Sequence, residues 1–285
     1  MKAQRIGWTP YLLLLPSLAF LAIFFAVPMV RAFGLAFQDA GGDWSLASWR
    51  TMFDDAQFRE ALVTTLVLIV IIIPVQFILA MTMALVVNAK LKASGLWLYV
   101  YAIPLGISEL AAGIIWYAIF TQQGWLNSFL EALGLLDRPF IFLNYQNQGW
   151  LIFCVVVAEA WRATSIIMII LVAGLQGIPR DYMEAADVFG ATFWQKVRRV
   201  IMPMLRPSIQ VALILRTILA FQAFAIVIAL AGQGMTVLSF EAYRWYDTYR
   251  DSHVAAAYAG FILVLSIVST LLFLWLLPAR QEQMG

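Results

Sequence analysis

Hydrophobic residues occur in six long runs along the chain, separated by shorter polar or charged segments. The runs cover about residues 11–37, 60–88, 95–121, 148–175, 204–230 and 254–278. Each run is long enough to cross the roughly 30 Å hydrocarbon core of a bilayer as an α-helix. Backbone polar groups in lipid must be paired internally, so such runs form helices. The pattern predicts an all-α polytopic membrane protein with six transmembrane helices in a single domain, residues 1–285.

The composition agrees with this pattern, because 63% of the residues are hydrophobic and only 12% are charged. Soluble domains usually have about a quarter of their residues charged. The formal net charge is +2, and the basic residues are spread over several short connections. We therefore expect a lipid bilayer as the surroundings and no nucleic-acid partner.

The distribution of Lys and Arg between alternate connections predicts the orientation of the chain. One side holds ten of these residues: Lys2, Arg5, Lys90, Lys92, Arg180, Lys196, Arg198, Arg199, Arg206 and Arg280. The other side holds five: Arg50, Arg59, Arg138, Arg244 and Arg250. Basic residues are retained preferentially on the cytoplasmic side, so both termini are predicted to be cytoplasmic.

The longest connection on the predicted cytoplasmic side joins the fourth and fifth runs and includes residues 179–203. Loops of such length within compact proteins are usually functional. We expect two short amphipathic helices here, separated by a bend at Gly190. Asp181 is the expected N-cap of the first helix, and Glu184, three residues later, completes a capping box.

This connection resembles the signature of the permease subunits of binding-protein-dependent ABC importers, in their carbohydrate branch. The signature reads Glu-Ala-Ala, three residues, Gly, nine residues, then Ile-x-Leu-Pro. The matching positions are Glu184, Ala185, Ala186, Gly190 and Pro203. Val200 and Met202 stand in place of Ile and Leu and keep the apolar character. The resemblance extends to most of the chain, including a first run with Pro16 and Pro28.

The resemblance implies a type I ABC importer permease fold and a transport subunit that is not an enzyme. Residues from about Tyr182 to Thr192 would form a coupling helix that docks in a cleft of a cytoplasmic ATPase. The implied partners are a second homologous permease subunit in a heterodimer, two cytoplasmic ABC ATPase subunits and an extracytoplasmic solute-binding protein. The implied location is a bacterial or archaeal plasma (inner) membrane, and the implied solute is a sugar or a related polyhydroxylated compound.

Nucleotide chemistry is expected to belong to another polypeptide. The chain has no G-x-x-x-x-G-K-[ST] phosphate-binding loop, so ATP and Mg would be used by the partner ATPase and this chain would bind no cofactor. The single cysteine, Cys154, and the single histidine, His253, have no second thiol or imidazole for a metal cluster, so no metal site is expected.

Five ionisable residues fall inside the predicted spans: Arg31, Glu109, Glu159, Arg162 and Arg216. Placing such a group at the bilayer centre costs about 2.5 to 3.5 kcal/mol, so each is expected to face a partner or water. Glu159 and Arg162 are three residues apart on one helix face and can pair. Glu109 and Arg216 can pair between helices.

Two interpretations of these intramembrane charges remain open. In the first, they line a translocation path for a hydroxyl-rich solute together with two tryptophans and an amide. The candidate lining residues are Glu109, Trp116, Glu159, Trp161, Arg162, Arg216 and Gln222. In the second, the charges form an ion-pair network that fixes helix packing.

Two other classes of protein compete with an ATP-driven importer. An ion-gradient-driven secondary transporter would use Glu109 or Glu159 as its proton carrier, although such folds typically contain internal repeats and none is clear here. A membrane enzyme is disfavoured, because the loops hold no nucleophile and base constellation.

Overall fold

The computed structural model describes residues 9–39, 41–89 and 94–278. Within these ranges every regular element is helical, apart from an isolated bridge between Gln38 and Trp44. The prediction of an all-α protein is therefore confirmed. Five of the basic residues used to predict the orientation lie outside the described residues: Lys2, Arg5, Lys90, Lys92 and Arg280.

The helices follow one another with short connections. Their bounds are α1 (Thr9–Leu21), α2 (Val27–Leu35), α3 (Ala47–Asp54), α4 (Phe58–Asn88), α5 (Ser94–Ala102), α6 (Glu109–Phe120), α7 (Trp125–Ala132), α8 (Gln148–Gln176), α9 (Arg180–Val188), α10 (Phe193–Lys196), α11 (Met202–Met204), α12 (Arg206–Phe221), α13 (Ala225–Ala231), α14 (Leu238–Asp247) and α15 (Ser252–Leu276). Two π-helical turns, Ala22–Ala26 and Val197–Ile201, and a 3₁₀ turn, Ile103–Gly106, join consecutive helices.

Four helical stretches in the described residues are long and apolar enough to cross a membrane: Tyr11–Leu35, Phe58–Asn88, Gln148–Gln176 and Ser252–Leu276. Two further pairs of helices meet the same test but are sharply bent, and counting each pair as one span gives up to six. The chain is thus a polytopic membrane protein with interrupted as well as continuous spans.

The expectation of one continuous helix over residues 95–121 is wrong. Gly95–Gly106 and Glu109–Ala132 meet at an angle of 98°. Pro104 cannot donate a backbone hydrogen bond, which favours the 3₁₀ turn that ends at Gly106. Ser108 is then the N-cap of α6, because its hydroxyl accepts a hydrogen bond from the Ala111 N–H at 3.2 Å.

The expectation of one continuous helix over residues 204–230 is also wrong. Phe193–Met204 meets Arg206–Phe221 at an angle of 71°. The helix that follows, α12, ends at Phe221, and α13 begins only at Ala225. Residues 222–224 therefore interrupt the apolar run without any Pro or Gly among them.

The chain divides into two compact units. The first contains the described residues up to Phe58 together with Glu241–Phe261. Its polar centre is the carboxylate of Asp55, which accepts hydrogen bonds from the Trp245 indole at 2.9 Å and the Tyr258 hydroxyl at 2.8 Å. These bonds tie the connection between α3 and α4 to α14 and α15.

The second unit contains the described residues of Arg59–Phe240 and those from Ile262 to Pro278. Helix α8 lies in its centre, and side chains on most sides of this helix are buried. Gly174 permits α12 to approach α8 closely, since a Cβ atom at this position would overlap the side chain of Ser208. Two apolar clusters, one containing Cys154 and the other containing Met168, form the core around α8.

Candidate functional site

The connection between α8 and α12 folds as two helices joined at a bend, and we call residues 179–203 the α9–α10 segment. Pro179 is the N-cap of α9, and Asp181 lies in the first turn, where a carboxylate favours the helix dipole. The expected capping box of Asp181 and Glu184 is therefore wrong, because Pro179 starts the helix two residues earlier. The capping box belongs instead to α10.

In that capping box, the Thr192 hydroxyl accepts a hydrogen bond from the Gln195 N–H at 3.4 Å. The Gln195 side-chain oxygen accepts one from the Thr192 N–H at 2.8 Å. Two backbone donors that would otherwise be unpaired are satisfied at the start of a helix of only four residues. The entry into α10 is thus fixed by local hydrogen bonds.

Gly190 makes the bend between α9 and α10. Its φ of +69° lies in the left-handed region that only glycine adopts without strain. The Gly190 N–H donates to the Asp187 carbonyl and the Ala191 N–H donates to the Ala186 carbonyl, both at 2.9 Å. This is the hydrogen-bond pattern of a Schellman helix end. A Cβ at Gly190 would meet nothing within 4 Å, so backbone conformation alone requires glycine here.

An ion pair connects the two helices across the bend. Lys196 Nζ lies 2.6 Å from Asp187 Oδ1. Together with the hydrogen bonds around Gly190, this contact holds α9 and α10 in one arrangement.

The surface of the α9–α10 segment combines charge with large exposed apolar side chains. Phe189 is 90% exposed, Val188 is 84% exposed and Trp194 is 74% exposed. Glu184 and Ala185 are exposed on the same short helix. Contiguous apolar side chains on an otherwise charged segment are typical of a surface that binds a protein or a membrane.

Pro203, the last residue of the matched signature, lies in α11 and is exposed. The π-helical turn Val197–Ile201 directly precedes this helix. Since proline lacks an N–H, the regular i to i−4 ladder cannot continue through position 203. Pro203 therefore lies where the α9–α10 segment changes its helical register before the bend into α12.

A second polar region lies inside the membrane helices, and we call Gln76, Glu159, Arg162 and Arg216 the Glu159 cluster. Arg216 Nη2 lies 3.0 Å from Glu159 Oε2, and both side chains are only 1% exposed. Arg162 Nη2 lies 3.1 Å from Glu159 Oε1. The Gln76 side chain accepts a hydrogen bond from Arg216 Nε at 2.7 Å and donates one to the Glu159 backbone carbonyl at 2.8 Å.

The Glu159 cluster thus ties α4, α8 and α12 together, with two arginines sharing one carboxylate. The expected pairing of Glu159 with Arg162 is present. The expected Glu109–Arg216 pair does not form, because Arg216 binds Glu159 instead. Sequence reasoning did not single out Gln76, although a lone amide in the middle of an apolar run is a signal that could have found it.

Glu109 lies elsewhere in the same unit, as the first residue of α6, directly after the bend in the third apolar run. Its Oε1 accepts hydrogen bonds from the backbone N–H groups of Phe224, at 2.9 Å, and Ile226, at 3.2 Å. The carboxylate is therefore bound to the interruption between α12 and α13.

The remaining candidate lining residues differ in accessibility. Trp116 stacks on Phe120 and meets the edge of Trp161, and its ring is largely buried. Trp161 and Gln222 have exposed side chains, and Arg162 is partly exposed. Trp161 also lies on a groove of about 490 Å³ between α4, α5 and α8, next to Thr164 and Ser165.

Sequence and structure comparisons agree with this architecture. Residues 76–281 match the family described as "Binding-protein-dependent transport system inner membrane component". The match covers most of the chain, and the chain belongs to this family. It is therefore a membrane-embedded permease subunit of an ABC importer, and its role is transport rather than enzymatic catalysis.

Individual relatives extend over nearly the whole chain. Identity is 29% over 231 residues to the trehalose transport system permease protein SugA of Mycobacterium tuberculosis, covering 81% of this chain and 73% of that protein. Identity is 27% over 292 residues to the sn-glycerol-3-phosphate transport system permease protein UgpA of Yersinia enterocolitica, covering 95% of this chain and 96% of that protein.

Among solved structures, a chain of a bacterial alginate ABC transporter, crystallised in complex with alginate pentasaccharide-bound periplasmic protein, has a similar fold. The TM-score is 0.76 at 25% identity, and the match covers 93% of this chain and 92% of that chain. The expectation of an ABC importer permease is thus confirmed, and the ion-gradient-driven alternative is not favoured.

Proposed function

We propose that this chain forms half of the translocation path for a sugar or a related polyhydroxylated solute, in a heterodimer with a second homologous permease subunit. Relatives named for trehalose and sn-glycerol-3-phosphate, and an alginate transporter with a similar fold, support this solute class. Each of these named solutes carries two or more hydroxyl groups.

The observation that carries the proposal is the exposed apolar surface of the α9–α10 segment. We propose that α9 is a coupling helix that docks in a cleft of a cytoplasmic ABC ATPase, with two such ATPases in the complex. Phe189 and Val188 would be covered by that subunit, and the small side chains of Ala185 and Ala186 would allow close approach. The ion pair between Lys196 and Asp187 joins α9 to α10, which leads on to α12.

The same arrangement bears on where nucleotide is bound and on the orientation of the chain in the membrane. ATP and Mg would be bound by the partner ATPase, and this chain would bind no cofactor. The α9–α10 segment would lie on the cytoplasmic side with both termini, because it and the start of α12 hold five described basic residues: Arg180, Lys196, Arg198, Arg199 and Arg206. An extracytoplasmic solute-binding protein would deliver the solute to the opposite side.

Accessibility divides five of the seven candidate lining residues into two groups. Glu159 and Arg216 are buried and paired with each other, which favours a packing role. Trp161, Arg162 and Gln222 have surface that a solute can reach, and their aromatic and planar polar groups suit hydroxyl-rich compounds. We propose that the second group contacts the solute.

The test is co-expression of this chain with its neighbouring transport subunits, followed by reconstitution of the complex into liposomes. ATP hydrolysis should be stimulated by a solute-binding protein loaded with a polyhydroxylated solute, and trehalose and glycerol 3-phosphate are the first to try. A cysteine at position 185 (Ala185→Cys) should cross-link to the ATPase. Ala132→Cys, at an exposed alanine of α7, is the matched control and should not.

Two results would overturn this function. One is the absence of any cross-link from position 185 to an ATPase in an assembled complex. The other is uphill solute movement in vesicles that contain only this chain, driven by a proton gradient without nucleotide.

A further inference from the structure

The interruption between α12 and α13 is the feature that the proposed function leaves unexplained. Helix α12 has 16 residues and reaches only about 24 Å, less than the roughly 30 Å hydrocarbon core. Phe224 then adopts φ −138° and ψ −57°, which is not helical. Non-helical backbone at membrane depth is tolerated only where protein groups or water satisfy it.

Two side chains from other elements satisfy this backbone. Glu109 Oε1 accepts hydrogen bonds from the N–H groups of Phe224 and Ile226. The Ser239 hydroxyl donates a hydrogen bond to the Ala223 carbonyl at 2.6 Å. The interrupted backbone is therefore stabilised by specific partners on both its donor and its acceptor side.

Helix packing places Glu109 where it can do this. An ideal Cβ atom at Gly113, one turn after Glu109, would lie 2.5 Å from the Cβ of Ala229 and 3.2 Å from the Cα of Ile226. Because position 113 is glycine, α6 lies directly against α13. Each of these helices follows a break in its own apolar run, so the two interruptions are fixed to each other at Glu109.

We infer that Glu109 is a positioning residue for translocation, which holds the fifth apolar run interrupted and thereby presents the Gln222 amide to the solute path. The inference rests on the proposed function. If Glu109 is removed, the N–H groups of Phe224 and Ile226 lose their carboxylate acceptor. A continuous helix would offer these N–H groups acceptors on its own ladder, and that rearrangement would turn Gln222 to a different direction.

The proposal is tested by the water accessibility of position 222 in the assembled complex. Gln222→Cys is introduced into the full chain and its rate of reaction with a membrane-impermeant, positively charged methanethiosulfonate is measured. The natural thiol, Cys154, is fully buried and contributes little background. Glu109→Ala should lower the rate about tenfold, the shift expected when a buried donor is left unpaired.

Two further variants separate positioning from general disruption. Glu109→Gln keeps an acceptor oxygen in place and should restore the rate to within about threefold of the parent. Glu131→Ala removes an exposed carboxylate from α7 and should leave the rate unchanged.

Equal rates in the parent and Glu109→Ala would overturn the inference, as would a Glu109→Gln variant as slow as Glu109→Ala. If Glu109→Ala does not assemble, Glu109→Asp decides, because its shorter side chain withdraws the carboxylate from the N–H groups of Phe224 and Ile226: a lower rate supports the inference and an unchanged rate overturns it. These outcomes do not depend on the ATPase cross-link at position 185, so failure of the inference and failure of the proposed function are distinguishable.

Discussion

Glu159 is surrounded by more positive charge than it can neutralise alone, since both Arg162 and Arg216 contact its carboxylate. Gln76 binds the Arg216 guanidinium through its side-chain oxygen and the Glu159 backbone through its amide. Taking such charges out of water is costly, and geometry of this quality is needed to offset the cost. The cluster therefore fixes how α4, α8 and α12 pack, which makes Arg216 a sensitive position.

Replacement of Arg216 by methionine should destabilise the protein by about 1 to 3 kcal/mol, because Gln76 and the buried Glu159 carboxylate each lose a hydrogen-bond donor. The double variant Glu159→Met/Arg216→Met should recover part of this loss, since both fully buried charges are removed together and only the partly exposed Arg162 loses its carboxylate partner. Unfolding temperature of the purified complex in detergent is the measurement. Arg59→Met, at an exposed arginine, is the control. If Arg59→Met lowers the unfolding temperature as much as Arg216→Met does, the role of the cluster is contradicted.

Asp55 gives a prediction about pH at the residue scale. Burial opposes ionisation of Asp55, but hydrogen bonds from the Gln57 N–H, Trp245 and Tyr258 outweigh burial and lower the pKa of its carboxyl. A lowered folded-state pKa stabilises the fold above the unfolded-state pKa, and this stabilisation is lost as pH falls through the folded-state value.

We therefore expect the unfolding temperature of the wild type to decrease when the pH is lowered below about 4. Asp55→Asn should lower the unfolding temperature at pH 7 and flatten its dependence on pH in the acid range. Asp54→Asn, at the exposed neighbouring carboxylate, is the control. Identical pH profiles for wild type and Asp55→Asn would contradict this explanation.

At the scale of elements, the bend at Gly190 offers a controlled comparison. Gly190 and Gly134 both have φ of +69°, and a Cβ would meet no atom within 4 Å at either position. Alanine in this conformation costs about 1 kcal/mol at both sites. Only Gly190 lies in the α9–α10 segment. We expect Gly190→Ala to lower solute uptake about fivefold while ATP hydrolysis continues, and Gly134→Ala to change neither, in the reconstituted complex.

The contact between α6 and α13 makes a second prediction about elements. Gly113→Ala should separate the two helices, because the added methyl group overlaps Ala229 and approaches the backbone of Ile226. Overpacking of this kind costs about 1 to 3 kcal/mol. Gly34→Ala, at a helical glycine of α2 with open space around it, is the control and should be neutral or slightly stabilising. Unfolding temperatures of the two variants decide the question.

The elements also show how far the sequence could predict this structure. Continuous apolar runs identified the long helices α4, α8 and α15 within a few residues. The break before α6 is marked by Pro104, Gly106 and Ser108 and could have been recognised. The break after Phe221 could not, because residues 222–224 contain no helix breaker and depend on Glu109, more than a hundred residues away.

At the scale of the whole molecule, the family was predictable because five residues at fixed spacing fall in one connection before the fifth apolar run. The partners of the intramembrane charges could not be predicted in the same way. Spacing along one helix indicates the Glu159–Arg162 ion pair but gives no information on contacts between helices. Arg216 has Glu159 as its partner and Glu109 binds backbone, a distribution that only tertiary packing determines.

The central claim is that the α9–α10 segment transmits ATP-driven movement to the membrane helices. The most direct measurement is the number of solute molecules taken up per ATP hydrolysed, in liposomes that contain the full complex. The Glu184→Lys and Gly190→Pro variants should insert into the membrane normally and allow ATP hydrolysis, but solute uptake should fall to background. Lysine at position 184 reverses a charge on the exposed surface of α9, and proline at position 190 cannot adopt the positive φ of the bend. A wild-type ratio of uptake to hydrolysis in both variants would contradict the claim.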